Sequence, residues 1–308
     1  MNKVVLMDIF EKLSKDGMHL VNIEKDKRGP FYRLVMKITG RPTKNINLLR
    51  IESDSSTKRL VFGMKSDAKE EYENLYELEN KVAADFSLGY PKPYILLEDK
   101  NTIAVEYIEG KTLSELLVFH HFFLGTSKKE LNKAFEHLGK SLAEFHSKTV
   151  EGEMDIIESV KRRVDSVSDM ISDKLAERIK KLPDRQVLSP ETYIHDDLHL
   201  RNIMYGEGKV SLIDWPKLKY GCPLHDVHFF RRVLRRRNKT YLRRNLNKLG
   251  TRFVKSYIQT ADFDISQNLF HLSNIDFWLR RKGAKPDSTN DRFMTSELEN
   301  SLEKINKK

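Results

Sequence analysis

Apolar positions recur at two spacings along the chain, and the change from one to the other outlines its organisation. Residues 3–16 place Val4, Val5, Met7, Ile9, Phe10 and Leu13 near helical spacing, which predicts a helix on the outside of a first domain. From residue 31 the texture turns to strands: 31–38 and 46–52 flank a loop at 39–45, a polar turn follows at 53–57, and 58–65 forms a third strand. Ser66 and Asp67 offer an N-cap for a helix over 68–84, with Tyr72, Leu75, Leu78 and Val82 as its inner face. Pro91 and Pro93 lead into strands at 94–97 and 102–108. After residue 109 the spacing is mainly helical, over 113–123, over 131–149 and in a charged pair across 150–190 that Pro183 interrupts. Amphipathic helices follow over 227–260, and Ser296 with Glu299 makes a capping box for a last one. The pattern predicts an α+β chain, with an antiparallel sheet and a helix in 1–108 and a mainly helical region in 109–308.

The chemistry concentrates between Tyr193 and Val227. A polar cluster, His195-Asp196-Asp197-Leu198-His199-Leu200-Arg201-Asn202, is flanked by strand-forming residues at 192–194 and 210–213, and Asp214 closes the second run. A carboxylate, an amide five residues later and a second carboxylate twelve further on form a set able to position a hydroxyl and hold magnesium. Magnesium prefers oxygen ligands and takes only one or two from protein, the remainder coming from phosphates and water. Taken singly, Asp and Asn are ordinary turn residues. It is the combination that outlines a phosphoryl-transfer site.

His-x-Asp-x-x-x-x-Asn followed by Ile-Asp-Trp resembles the aminoglycoside phosphotransferase and choline kinase superfamily, which shares the bilobal protein-kinase fold. The resemblance implies that Asp197 is the catalytic carboxylate and that Asn202 and Asp214 are metal ligands. It implies ATP and Mg²⁺ as cofactors and a small-molecule hydroxyl as acceptor. Lys65, at a strand end, corresponds to the lysine on the nucleotide phosphates, paired with Glu71 or, as second choice, Glu73. The backbone of Gly40 would cradle phosphate oxygens, and that of Glu106 to Ile108 would bond the adenine edge. Gly221, Pro223 and Asp226 resemble the family's closing turn and the acidic residue opening the next helix. Asp196 departs from the pattern, because the family usually has glycine there; a second carboxylate could alter the metal site or raise a neighbour's pKa. His146, on the long helix, is read as a buried structural histidine.

Composition narrows the partners. The chain has 308 residues, 32% of them charged, with a net charge of +10 and a pI near 9.4, which favours anionic partners without choosing among them. A single cysteine, Cys222, fits a reducing compartment, and an aspartate as early as Asp8 does not suit a secretory signal, so a cytoplasmic location is expected. No apolar run approaches the roughly 18 residues that span a bilayer. Residues 227–260 contain no acid yet carry Arg231, Arg232, Arg235, Lys248, Arg252 and Lys255 among other cations, which predicts helices with a basic outer face. A site for a polycationic aminoglycoside should collect carboxylates, so a neutral or anionic acceptor is expected instead. Two other readings stay open: a kinase-fold binding protein holding nucleic acid or an anionic surface on those helices, and a protein or saccharide kinase.

Overall fold

The strand Ser56–Met64 (β3) is the centre of a five-stranded antiparallel sheet with His19–Lys25 (β1), Asn47–Ser53 (β2), Pro93–Leu97 (β5) and Thr102–Glu106 (β6), in the order β1-β2-β3-β6-β5. Its register runs from Leu60 opposite Glu106 to Met64 opposite Thr102, so Lys65 follows directly on the end of a central strand. Leu60 and Phe62 point into the core with Ile95 and Ala104. Helix Ala68–Lys81 (α1) lies against β5 and β6 with Leu75 and Leu78 fully buried. The structure is a computed structural model, and it describes residues 19–25, 47–53, 56–81, 87–122, 127–236, 243–284 and 291–306. The helix expected at 3–16, the strand at 31–38 and the loop carrying Gly40 lie outside the described residues.

A second, four-stranded sheet joins Leu88–Gly89 (β4), Lys111–Thr112 (β7), Ile203–Gly206 (β10) and Lys209–Leu212 (β11) in the order β4-β11-β10-β7. Gly110 precedes β7 at φ +130°, and a Cβ there would stand 2.7 Å from the Tyr205 carbonyl oxygen, so only glycine fits. A third sheet, β12-β9-β8, contains Gly152–Asp155 (β8), Leu188–Ile194 (β9) and Lys219–Gly221 (β12). The helices are Leu113–Phe122 (α2), Lys128–Lys148 (α3), Ile156–Ser166 (α4), Asp173–Lys180 (α5), Leu224–Arg236 (α6), Arg243–Thr260 (α7), Gln267–Ala284 (α8) and Asp291–Asn306 (α9). The mixed α+β class is the expected one.

The chain forms two compact units, 1–134 with 200–217, and 135–199 with 218–308. This division differs from a single cut near residue 109, because β7 and β4 pair with β10 and β11 and so tie 200–217 to the first unit. In the second unit Phe230 packs on Phe135 and Phe253 at centroid distances of 5.7 and 4.8 Å. Gly139 brings α3 close to α7, since a Cβ at that position would lie 2.4 Å from the Phe253 carbonyl oxygen.

Two expectations for the second unit need correction. Residues 150–190 are more than a helical pair, because β8 and β9 pair across them from Gly152–Glu191 to Asp155–Leu188. Arg232 and Arg235 of α6 are not part of a solvated outer face. Arg232 is 8% exposed and lies over the rings of Phe229 and Trp278, while Arg235 pairs with Glu297 of α9. The reason is tertiary: α8 packs along α6, so positions that look outward on a helical wheel are covered. On α7, Lys248, Arg252 and Lys255 are exposed as expected. No helix among the described residues is long and apolar enough to cross a membrane.

Candidate active site

In the first unit, Lys65 is placed by the strand before it and the helix after it. Its N–H donates to the Asn101 carbonyl at 2.8 Å, and its own carbonyl accepts from Ala68 at 3.1 Å. From there the Nζ ammonium reaches Asp214 Oδ1 at 2.8 Å and pairs with Glu71 Oε2. Glu71 sits one turn into α1 and is 4% exposed, so its charge is tolerable only because it is paired. Its second oxygen, Oε1, accepts the backbone N–H of Trp215 at 3.3 Å. Of the two glutamates open from the sequence, the structure brings Glu71 to Lys65 and leaves Glu73 exposed beside Lys69.

The Ile-Asp-Trp segment is fixed from several sides within this unit. Ile213 donates its N–H to the Asn202 carbonyl at 2.9 Å, Asn74 Nδ2 donates to the Trp215 carbonyl at 2.8 Å, and Trp215 Nε1 donates to the Leu212 carbonyl at 2.8 Å. Trp215 is fully buried. Asp214, between these anchors, adopts φ +71°, a left-handed conformation that aspartate tolerates better than most residues. Asn74 escaped the sequence reading; a polar residue on a charged helix carries no mark of its long-range partner.

Glu106 and Ile108 lie at and just beyond the end of β6. The Glu106 N–H is already donated to the Lys92 carbonyl at 2.8 Å, and the Tyr107 N–H to the Arg59 carbonyl at 2.8 Å. Ile108 makes no hydrogen bond among the described residues.

Asp197 belongs to the second unit, where a buried carboxylate shapes its loop. Asp226, in the first turn of α6, accepts the N–H of His195 at 2.8 Å and that of Asp196 at 2.9 Å. Burial alone would raise the Asp226 pKa. The hydrogen bond and charge of His146, the charge of His195 and the His195 N–H outweigh burial and hold it below the usual value. His146 Nε2 lies 3.4 Å from Asp226 Oδ2, and its Nδ1 is 2.7 Å from the Tyr257 hydroxyl. Burial, then the charges of Cys222 and Asp226, push the Tyr257 pKa well up, so its hydroxyl stays protonated beside Nδ1. The Asp226 carboxylate can only accept, so it favours an N–H at His146 Nε2. His146 is thus a buried supporting residue, as its helix position suggested.

Asp197 itself carries a side chain 19% exposed, with His199 Nε2 3.1 Å from Oδ1. The His199 ring meets Phe229 edge-on at 5.0 Å, which fixes the orientation of that imidazole. Asp196 takes φ +56°, a backbone conformation that glycine reaches without strain. Its carboxylate accepts from Lys219 Nζ at 2.5 Å and from Arg280 through both terminal nitrogens, Nη1 at 3.1 Å. The added acid is therefore neutralised by two cations of its own unit and does not act as an uncompensated charge beside Asp197.

A divalent ion fits this donor set by chemistry. Asn202 and Asp214 are hard oxygen donors, and two protein ligands suffice for magnesium. No cluster of three His, Cys, Asp or Glu residues suited to a metal occurs among the described residues, so a fully protein-made cage is not what these residues build. Cys222 is not a ligand candidate: burial pushes its thiol up to about 12.

The sequence model of the phosphotransferase enzyme family matches residues 68–253, a span holding Glu71, Asp197, Asn202 and Asp214. The chain belongs to this family. Aminoglycoside phosphotransferase APH(4)-Ia is similar in structure, with a TM-score of 0.54 at 11% identity, covering 97% of each chain. A putative fructosamine-3-kinase from Haemophilus somnus 129PT gives 0.51 at 10% identity over 96% of each chain. A thermostable mutant of APH(4)-Ia in ternary complex with ADP and hygromycin B gives 0.50 at 12% identity, covering 98% of this chain and 97% of that one. At such identities the likeness establishes the fold, the α+β fold of the kinase-like phosphotransferases. No curated protein matches the chain in sequence.

Proposed function

We propose that this phosphotransferase is an ATP-dependent kinase that phosphorylates a hydroxyl of a neutral or anionic small molecule. The observation that carries the reading is the position of Lys65, held between the buried Glu71 and the Asp214 carboxylate. A lysine so placed is oriented for phosphate oxygens, and Asp214 keeps its second oxygen for a metal. Membership of the phosphotransferase family supports the same reaction class.

In this mechanism Asp197 accepts the proton of the acceptor hydroxyl, and His199, 3.1 Å from one of its oxygens, restrains the carboxylate. Asn202 and Asp214 hold Mg²⁺, which when bound neutralises charge on the β- and γ-phosphates. Lys65 braces the triphosphate, Ile108 offers its backbone groups to the adenine edge, with Glu106 limited to its carbonyl, and Gly40 is the candidate for the phosphate loop. The 1–108 region then serves the nucleotide and the 109–308 region the acceptor. Catalysis is mainly positioning and charge stabilisation, because a loose phosphoryl-transfer transition state needs little covalent help.

The preference against a polycationic acceptor rests on the neighbour of Asp197. Asp196 is already engaged by Lys219 and Arg280, so its carboxylate is not open to a substrate ammonium. The test is a panel of sugars, phosphorylated metabolites and aminoglycosides incubated with γ-labelled ATP and Mg²⁺, with Asp197→Asn as the blank. Transfer to a neutral or anionic hydroxyl compound by the parent alone is the expected result. Equal transfer by the substituted protein would remove Asp197 from the mechanism, and preferred transfer to an aminoglycoside would overturn the acceptor class.

A further inference from the structure

A groove of about 1070 Å³ opens between α6, α7, α8 and α9 in the second unit, a little above the usual size of small-molecule sites. Its walls combine two chemistries. One is aliphatic, with Leu234, Leu246, Val254, Ile258 and Ile265, of which Ile258 is 42% exposed. The other is cationic, with Arg231, Arg235, Lys255 and Lys304, and no Asp or Glu lines the groove among the described residues.

Arg231 gives the groove its direction. It lies over the Phe270 ring at 5.1 Å and makes no hydrogen bond or ion pair among the described residues. Glu297, whose charge acts on Arg231, makes its ion pair with Arg235. Burial, then the charge of Arg235, lower the Arg231 pKa to about 10, against a weaker opposing effect of Glu297. The guanidinium remains charged at neutral pH; it is part-buried against the Phe270 ring face, which leaves its N–H donors for an oxyanion in the groove. Its planar fork suits an oxyanion, and the exposed Lys255 and Lys304 extend the positive field at the rim.

We propose that this groove binds an anionic amphiphile, with a phosphate or carboxylate head on Arg231 and an aliphatic body along the α7 wall. The site is separate from the Asp197 loop. His271 in the groove and Arg280 beside Asp196 are nine residues apart on α8, about 14 Å of helix axis. The proposal does not rest on phosphoryl transfer.

The experiment is calorimetric titration of the full chain, without nucleotide, using monododecyl phosphate, dodecanoate and inorganic phosphate below any micelle-forming concentration. Saturable binding of a dodecyl ligand is expected, with inorganic phosphate at least tenfold weaker. Comparison of the phosphate and carboxylate heads tells which oxyanion the fork prefers. Arg231→Gln should weaken binding about ten- to a hundredfold, the range of a lost charge-assisted contact. The double variant Lys255→Glu with Lys304→Glu changes only exposed rim residues and should weaken binding in the same direction if Arg231→Gln fails to fold. No binding by the parent, equal binding by the variants, or inorganic phosphate binding as tightly as the amphiphiles would each overturn the proposal.

Discussion

Glu71 holds two things at once: one carboxylate oxygen pairs with Lys65 and the other accepts the Trp215 backbone N–H at 3.3 Å. The lysine at the end of β3 and the Ile-Asp-Trp segment are thereby positioned by a single buried acid. A substitution at this residue therefore has two separable effects.

Glu71→Gln keeps an oxygen for the Trp215 N–H but removes the charge opposite Lys65. Phosphoryl transfer should fall roughly a hundredfold, comparable to losing one preorganised electrostatic contact, with a small change in the urea midpoint. Glu71→Ala loses both contacts and should cost a further ~1–3 kcal/mol of stability. Steady-state turnover and urea unfolding on the same preparations check the separation.

Asp226 fixes the backbone of the loop that carries Asp197. Asp226→Asn presents an amide where two backbone N–H groups and the His146 edge now find a carboxylate. A loss of ~3 kcal/mol is expected, in the range for breaking a buried charged network, measured by denaturant unfolding. Asp197→Asn, by contrast, should leave the urea midpoint nearly unchanged while removing turnover.

Asp196 offers a test of backbone and charge together. Asp196→Gly and Asp196→Ala both abandon Lys219 and Arg280, so both should lower stability. The alanine variant should be the less stable of the two by ~1–2 kcal/mol, because φ +56° costs an alanine what it does not cost a glycine. Equal melting of the two proteins would mean that the loop relaxes to another conformation.

Acid should destabilise the fold in two steps. His225 and His228 have folded pKa values below 6.5, burial being the first cause for each. The unfolded chain therefore binds protons more readily, and the stability these residues lend is present above pH 6.5 and is lost as pH falls below it. Asp276 is held down to about 2 because His225, Arg163 and Ser159 outweigh its burial. Its contribution, on the order of 2 kcal/mol, is complete above pH ~4 and is lost as pH falls to about 2. Urea midpoints from pH 7 to pH 2 should show both declines, and Asp276→Asn should flatten the lower one.

Gly139→Ala should destabilise the second unit by ~1–3 kcal/mol, the usual cost of overpacking, because the new methyl would stand 2.4 Å from the Phe253 carbonyl oxygen. Thermal unfolding reads the effect.

The candidate residues stand out in the sequence because they are close together and unusual in combination. Asp197, Asn202 and Asp214 sit at fixed offsets around an apolar run, and Lys65 ends a strand whose alternation is clear. What stayed hidden depends on distant partners. Asp276 meets Ser159 and Arg163 across 117 and 113 residues, and nothing local marks it. Helix α8 carried no predicted element because Leu272 through Leu279 are buried in one continuous run, so no apolar stripe distinguishes a face. Strand β1 was missed for a related reason: its pairing shifts between Leu20 and Asn22, and the shift breaks the alternation a strand should show. Strands β7 and β12 are two and three residues long, too short for any period to register.

The burial of Trp215 has a practical corollary. The chain contains two tryptophans; Trp215 falls in the first unit and Trp278, 4% exposed, in the second. Each unit thus carries its own intrinsic fluorophore, shielded from quenching by water until that unit opens. Replacing either indole by phenylalanine leaves a single-colour reporter of the other, so the melting of the two halves of this phosphotransferase can be watched one at a time without attaching a dye.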